Sequence, residues 1–283
     1  MQFYHDEAEK FSDSEVLVPL SPNFNTSSYL EFQINPTGGH LQLSDTRLSL
    51  SVDLPEDLVP ENFFVSKLFE CCEISINHTV ITSKSSDNDY SLTNYFMTRM
   101  NWDEATLRTT GSLEGYWENK SFDASHFQLF KDSSGLLVEN SNTLKRRQEA
   151  EKIIIDDKIF YRYHFIVRIN SGIAMTPQPL PKNVPIKLTF FRADAEKSLL
   201  AADMDSSGDP LSKYSSRVVK LINPLLHASF VQSEHYDRKY ANHRISRVNF
   251  PFLDFQIHRE LLLNGVDQFK LKICDGKFKF LYF

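Results

Sequence analysis

Alternation of apolar and polar side chains is the strongest pattern along the chain, and it predicts β-strands. The longest alternating run covers residues 159–169, and its apolar set is Ile159, Tyr161, Tyr163, Phe165, Val167 and Ile169. Successive side chains of a strand point to opposite faces, so this run should bury one face and leave His164 on the solvent side. A shorter run over residues 29–34 has its apolar side chains on even positions and ends at a turn-forming Asn-Pro-Thr-Gly-Gly sequence.

Two other patterns predict how strands connect. Leu41 and Leu43 lie on odd positions, whereas the next apolar set, over residues 48–54, lies on even positions. One regular strand cannot keep both sets on the same face, so a bulge or a turn is expected between them. Residues 73–82 have the pattern of a hairpin, with Asn77 at a position that tolerates a positive φ.

The remaining strand candidates are short and evenly spread. They cover residues 186–190, 217–231, 248–257, 268–273 and 277–283. Few amphipathic helices separate them, which favours antiparallel sheets packed face to face over alternating strands and helices. The predicted fold class is therefore all-β, a jelly-roll sandwich with short helices in its loops.

Two short helices are expected in those loops. The first would begin after a cap at Asn88 or Asp89. Its apolar side chains share one side of the helix: Leu92, Tyr95, Phe96 and Met100. The second covers residues 143–152 and is polar on nearly every face, so it should be exposed to solvent.

Composition narrows the possible functions. The chain of 283 residues has 23 Phe and 11 Tyr against only 9 Gly, which favours half-buried, pleated surfaces. Its net charge of −6 argues against a protein that coats nucleic acid, because such binding needs an excess of Lys and Arg to neutralise phosphates. We therefore expect no specific nucleic-acid site.

The cellular environment is predicted from three absences. The first fifteen residues are acidic and lack the apolar region of a signal peptide, and no run reaches the roughly 18 apolar residues of a membrane span. Cys71, Cys72 and Cys274 make no disulfide framework and are expected to be reduced, buried thiols. The cytosol or nucleus is the expected location, where three glycosylation sequons would stay unused: Asn25, Asn77 and Asn119.

Motifs for chemistry are missing from the sequence. It has no H-E-x-x-H, H-x-H, C-x-x-C or G-x-S-x-G motif. His235 and Asp237 could supply two metal ligands, but a polar loop is the favoured interpretation. The adjacent Cys71 and Cys72 have no nearby His placed as a base. The prediction is a non-enzymatic protein without catalytic, cofactor-binding or metal-binding residues.

Two alternatives stay open because distant strands can bring side chains together. A carbohydrate-binding jelly-roll module would use Trp102, Trp117 and tyrosines as stacking platforms. A glycan-active enzyme would need two acids about 5–10 Å apart in a cleft. The acids nearest to the tryptophans are Asp103, Glu104, Glu114 and Glu118.

Several segments also carry structural motifs. Residues 29–38 (YLEFQINPTG) and 41–48 (LQLSDTRL) form the first pair, followed by residues 59–77, 89–96 and 185–193. Together they resemble the double jelly-roll major capsid proteins of Polinton (Maverick) elements and adintoviruses. Gln42 stands where that family usually has Asp, and His78 replaces its usual Gly.

The resemblance implies a domain organisation. An acidic, mobile tail would cover residues 1–15, and a complete first jelly roll residues 16–205. Residues 206–283 would begin a second jelly roll, opened by the strand at 216–231 and lacking several strands of the family. The loops within residues 102–150 would form an outward tower or contacts between subunits.

The resemblance also implies a structural role. Two jelly rolls side by side give each subunit a pseudo-sixfold footprint when three subunits form a homotrimer. These trimers would tile an icosahedral shell, in contact with neighbouring capsomers and with minor capsid proteins. The protein would then be located in the virion after assembly inside the host cell, in the cytoplasm or nucleus, and would not be secreted.

Overall fold

The computed structural model describes residues 11–56, 58–82, 90–117, 130–131, 137–138, 141–195, 198–201, 219–241, 249–252 and 279–282. The strands in these ranges are β1 (Phe11–Leu17), β2 (Tyr29–Ile34), β3 (His40–Leu41), β4 (Arg47–Pro55), β5 (Leu58–Pro60), β6 (Phe69–Ile76), β7 (Thr79–Thr82), β8 (Phe130–Lys131), β9 (Leu137–Val138), β10 (Glu151–Ile155), β11 (Lys158–Arg168), β12 (Ile186–Arg192), β13 (Leu199–Ala201), β14 (Leu221–Gln232), β15 (Asn249–Phe252) and β16 (Lys279–Tyr282). The helices are α1 (Phe64–Lys67), α2 (Tyr90–Asn101), α3 (Glu104–Thr110), α4 (Ser141–Gln148) and α5 (Glu234–Ala241).

Eight of the strands form a jelly roll. Taken in chain order, the first of the eight pairs with the last, the second with the seventh, the third with the sixth and the fourth with the fifth. These antiparallel pairs are β1–β14, β2–β12, β4–β11 and β6–β7. They divide into two sheets with strand orders β1-β14-β4-β11 and β2-β12-β6-β7. The predicted all-β jelly-roll sandwich is confirmed, and its eight strands are complete.

The core lies between these two sheets and follows the predicted alternation. On β2 the even positions Leu30, Phe32 and Ile34 are fully buried. On β11 the odd positions from Tyr163 to Val167 are buried, and His164 faces solvent as expected. Aromatic rings pack in this core: Phe32 and Phe190 of the sheet β2-β12-β6-β7 meet edge to face at 6.4 Å, and Phe64 of α1 lies 5.1 Å from Phe165 of the other sheet.

The predicted connections are also present. A 3₁₀ turn at Leu43–Asp45 separates β3 from β4 and accounts for the change from odd to even positions. The β6–β7 hairpin turns at Asn77 and His78, whose φ values are 47° and 64°. Both residues therefore adopt the left-handed conformation that was expected for Asn77 alone.

Two expected boundaries of the first jelly roll are wrong. The strand β1 already begins at Phe11 and pairs with β14, so residues 11–15 are not part of a tail. The strand β14 was expected to open a second jelly roll, but it lies between β1 and β4 of the first. This jelly roll therefore extends to Gln232 rather than to residue 205, and β12 is its seventh strand. An alternating pattern shows the faces of a strand but does not identify its partners.

Beyond α5 the structure describes β15 and β16, which pair with each other in antiparallel fashion. Both match strand candidates of the sequence. Residues 1–10, the segment 206–218, the predicted strand at 268–273 and Cys274 lie outside the described residues. A second jelly roll after α5 stays a prediction.

Candidate functional site: exposed apolar surfaces

Trp117 is packed inside the molecule and is not a stacking platform. Only 3% of its surface is exposed, and its Nε1 donates a hydrogen bond of 2.7 Å to Glu149. The guanidinium of Arg146 covers the ring at 5.2 Å. A sugar therefore has no access to either the face or the polar edge of this side chain.

The helix α4 supplies Arg146, and its predicted exposure is wrong at two positions. Arg146 and Arg147 are both buried, and burial lowers the pKa of Arg146 to about 10. Arg147 lies 5.0 Å above the ring of Tyr161. Polarity alone predicted a solvated helix, but aromatic rings brought from other elements receive the two cations.

Trp102 is half-buried, and one face of its ring is also covered by an arginine. The guanidinium of Arg168 lies 4.5 Å from its ring centroid and forms an ion pair of 3.2 Å with Glu114. Burial raises the pKa of Glu114 to about 6, although Arg168 and Arg47 act in the opposite direction. A cavity of about 180 Å³ beside Trp102 is also lined by Met97. One face of the Trp102 ring is already occupied by Arg168.

The other acids near the tryptophans also have structural roles. Asp103 caps α3, because its carboxylate accepts a 2.8 Å hydrogen bond from the backbone N–H of Thr106. Glu104 forms an ion pair with Arg108 one turn along the helix. Glu118, like the sequon at Asn119, lies outside the described residues. None of these contacts supports the pair of acids that a glycosidase would need.

The two candidate metal ligands lie on α5 rather than in a loop. Asp237 is 2.9 Å from Nε2 of His40 and 2.8 Å from Nζ of Lys182. Its hydrogen bond with Lys182 holds the pKa of this carboxyl below its usual range. His235 packs against the ring of Tyr236 instead. Asp237 therefore fixes α5 to the jelly roll, and in the part of the chain that is described no three His, Cys, Asp or Glu side chains group around a possible metal position.

The adjacent cysteines are buried, as predicted. Cys71 and Cys72 are not joined by a disulfide, and burial raises the pKa of the Cys72 thiol well above its usual range. A reactive thiol needs the opposite change, toward the thiolate. Within the described residues, no helix is both long enough and apolar enough to span a membrane.

The first exposed apolar surface lies on α2. Phe96 and Met100 are 51% and 78% exposed, and Tyr95 packs between Phe63 and Phe96 with ring distances of 5.3 and 5.5 Å. They share one side of the helix, as predicted. The buried side carries Tyr90 and three polar residues: Thr93, Asn94 and Thr98. The predicted caps Asn88 and Asp89 lie outside the described residues. We call the exposed side the α2 face.

A second surface is the outer edge of β10, which the sequence analysis missed. Ile154 and Ile155 of this strand are 72% and 39% exposed. The strand pairs with β11 on one side, and no other described strand pairs with its second edge. Three consecutive isoleucines before Asp156-Asp157 were the available signal for a strand and a tight turn.

A third surface is a groove of about 390 Å³ on the outer side of the sheet β2-β12-β6-β7. Leu20 and Val80 border it with roughly half of their surface exposed. At its base Lys187 forms an ion pair of 3.0 Å with Glu31. Most of the other side chains that line it are polar or charged, so this groove is not a contiguous apolar surface.

The fold and these surfaces define the described residues up to α5 as an eight-stranded jelly-roll domain with large apolar side chains exposed on a helix and at a sheet edge. No protein-family model and no curated protein matches the chain. Several solved structures are similar to it in part.

The crystal structure of PBCV-1 VP54, fitted into a cryo-EM reconstruction of the virophage Sputnik, matches with 13% identity and a TM-score of 0.47 over 90% of this chain. The quasi-atomic model of the PBCV-1 virus capsid matches with 12% identity and a TM-score of 0.45 over 90%. The Faustovirus major capsid protein matches with 10% identity and a TM-score of 0.45 over 89%. This chain spans 49% of the first two chains and 59% of the third.

Proposed function

We propose that this chain is a structural capsid protein of a virus or virus-derived mobile element, of the Polinton and adintovirus type that its motifs resemble. The observation that carries the proposal is the complete jelly roll in which the first strand pairs with the last. Viral capsid domains are among the proteins that use this architecture. The proposed role is mechanical rather than catalytic.

The distribution of exposed side chains supports a role in assembly. The two tryptophans that a carbohydrate-binding module would use are covered by Arg146 and Arg168. In contrast, the α2 face leaves large apolar side chains in contact with water. Covering that face with another subunit would stabilise an assembly, because burial of apolar surface yields about 25 cal/mol per Å².

The same proposal includes the arrangement of the subunits in the shell. Three copies associate as a pseudo-hexameric trimer, and trimers join neighbouring capsomers and minor capsid proteins in an icosahedral shell. Residues after α5 contribute to a second jelly roll beside the first. The protein assembles inside the host cell and is located in the virion.

The test is the oligomeric state of the full chain, measured by native mass spectrometry and sedimentation velocity. The expected result is a trimer, with larger particles in negative-stain images at high protein concentration. A folded chain that stays monomeric at high concentration would contradict the proposal.

A pair of variants locates the contact. Phe96→Lys adds a charge to the α2 face, so the trimer should dissociate, because a buried unpaired cation is costly. Ile166→Lys is the matched control, since Ile166 is also half exposed but lies on the outer side of β11. Loss of the trimer in both variants, or in neither, would argue against the α2 face as the contact.

A further inference from the structure

The second edge of β10, with which no strand in the described part of the chain pairs, combines backbone groups with exposed isoleucines. The strand runs antiparallel to β11 and joins it through a two-residue turn at Asp156 and Asp157. Both turn residues have positive φ, 49° and 59°. A well-formed strand edge of this kind can pair with a strand of another chain.

The turn determines which backbone groups point away from β11. In a two-residue hairpin the residues that flank the turn, here Ile155 and Lys158, form a hydrogen-bonded pair. Hydrogen-bonded and non-hydrogen-bonded positions then alternate along the strand. The N–H and C=O groups of Lys152 and Ile154 therefore point away from β11, toward the side on which β10 has no partner among the described strands.

We propose that β10 pairs with β10 of a second copy of this chain, antiparallel and centred on Ile154. In this register Ile154 lies opposite its own copy, and each Ile153 lies opposite Ile155. Each Lys152 then lies beside Asp156, the first turn residue of the other copy, so a pair of opposite charges flanks the isoleucines at each end of the contact. The contact is a twofold one, in which each copy uses the same surface.

Charge favours the register centred on Ile154 over the two neighbouring registers. Centring the pair on Lys152 would place two ammonium groups opposite each other, which is destabilising. Centring it on Ile153 would place Lys152 opposite Ile154 and Glu151 opposite Ile155, with no pair of opposite charges. In the register centred on Ile154, the outward N–H and C=O groups of the two Ile154 residues lie opposite each other and can form hydrogen bonds.

The pairing would join two sheets into one continuous sheet across a twofold axis. A trimer supplies no such axis, so the pairing deepens the proposed shell role by assigning the contact between neighbouring trimers. Only that placement rests on the proposed function. The pairing of the two edges can be tested without it.

Disulfide cross-linking tests the register. Directly opposite residues of a hydrogen-bonded antiparallel pair have Cα atoms about 5.5 Å apart, within the range that a disulfide spans. The full chain with Ile154→Cys should therefore form a covalent dimer under mild oxidation. Ile166→Cys, similarly exposed but on the sheet face, is the control and should not form one. No dimer with Ile154→Cys, or equal dimer in both variants, would overturn the proposal.

A charge change tests the same contact without a cysteine. Lys152→Glu faces Asp156 of the other copy and should weaken the dimer roughly tenfold in sedimentation equilibrium, because two favourable pairs become repulsive. Lys158→Glu makes the same change on β11 and should leave the association unchanged. Equal effects of the two variants would contradict the register.

The two proposals fail in different ways. A chain that forms trimers but no Ile154→Cys cross-link would keep the shell role and exclude the β10 contact. A chain that cross-links through Ile154→Cys but forms no trimer would retain the β10 contact and exclude the proposed trimeric shell subunit.

Discussion

An arginine side chain stacks on each of the two tryptophans of this protein. Arg146 covers Trp117, and Arg168 covers Trp102 while holding Glu114 in an ion pair. A guanidinium stacked on an indole ring keeps its charge and contributes about 1–2 kcal/mol. These residues therefore stabilise the ends of the sandwich, and the aromatic content of the sequence reflects packing.

Glu114 should make stability depend on pH. Its pKa is raised from 4.5 to about 6, so between these values the folded chain keeps a proton that the unfolded chain has released. Stability therefore falls as the pH rises through this window, by about 2 kcal/mol, and Glu114→Gln should remove that loss. Urea unfolding of parent and variant between pH 4 and 7 measures the difference.

Glu104→Gln is the control for that experiment. Glu104 also forms an ion pair with an arginine, but both side chains of that pair are largely exposed. In Glu104→Gln the fall in stability between pH 4.5 and about 6 should persist, because Glu114 is unchanged. Parallel curves for the parent and Glu114→Gln would show that Glu114 does not titrate as its burial implies.

At the scale of single elements, the period of apolar positions predicts strands well. It does not predict which side of a helix is buried or which charged side chains are buried. The strands β2, β4 and β11 were predictable because each buries one face. The side of α2 that faces outward was not predictable. Its buried residue Asn94 donates a hydrogen bond to the backbone carbonyl of Tyr90 and accepts one from Asn170, which is distant in sequence. The α4 arginines were missed for the same reason, since their aromatic partners come from other elements.

The β6–β7 turn offers a test at this scale. His78 has a φ of 64°, a conformation that costs a residue with a Cβ atom but not glycine. His78→Gly should therefore stabilise the protein by about 0.5–1 kcal/mol and raise Tm by about 1–4 °C in thermal unfolding. Thr79→Gly, one residue further in the extended β7, should lower Tm instead. A lower Tm for His78→Gly would show that its side chain contributes more than the turn costs.

At the scale of the whole molecule, β14 completes the sandwich. Its buried side chains Leu221, Leu226 and Phe230 lie between the two sheets. The position of this strand could not be predicted, because its sequence shows alternation but not the two strands, β1 and β4, that it separates. The exposed candidate surfaces could be located only after the pairing of all eight strands was known.

Two truncated chains should show whether the first jelly roll ends at residue 205 or at Gln232. A chain ending at residue 205 lacks β14 and loses the burial of three large side chains, about 5–9 kcal/mol, comparable with the whole stability of a domain. It should not unfold cooperatively in near-UV circular dichroism. A chain ending at residue 241 keeps β14 and α5 and should unfold cooperatively. Cooperative unfolding of the shorter chain would restore the boundary at residue 205.

The pairing of first strand with last also sets the timing of folding during synthesis. Asn25 bonds to Leu221 across 196 residues, and β1 cannot meet β14 before that length has been translated. At roughly 5–20 residues per second, this takes roughly 10–40 s. During that interval β1 and one edge of β4 remain without their central partner, and nascent chains on neighbouring ribosomes can compete for them. Crowded polysomes should therefore lower the yield of folded protein more than dilute synthesis does.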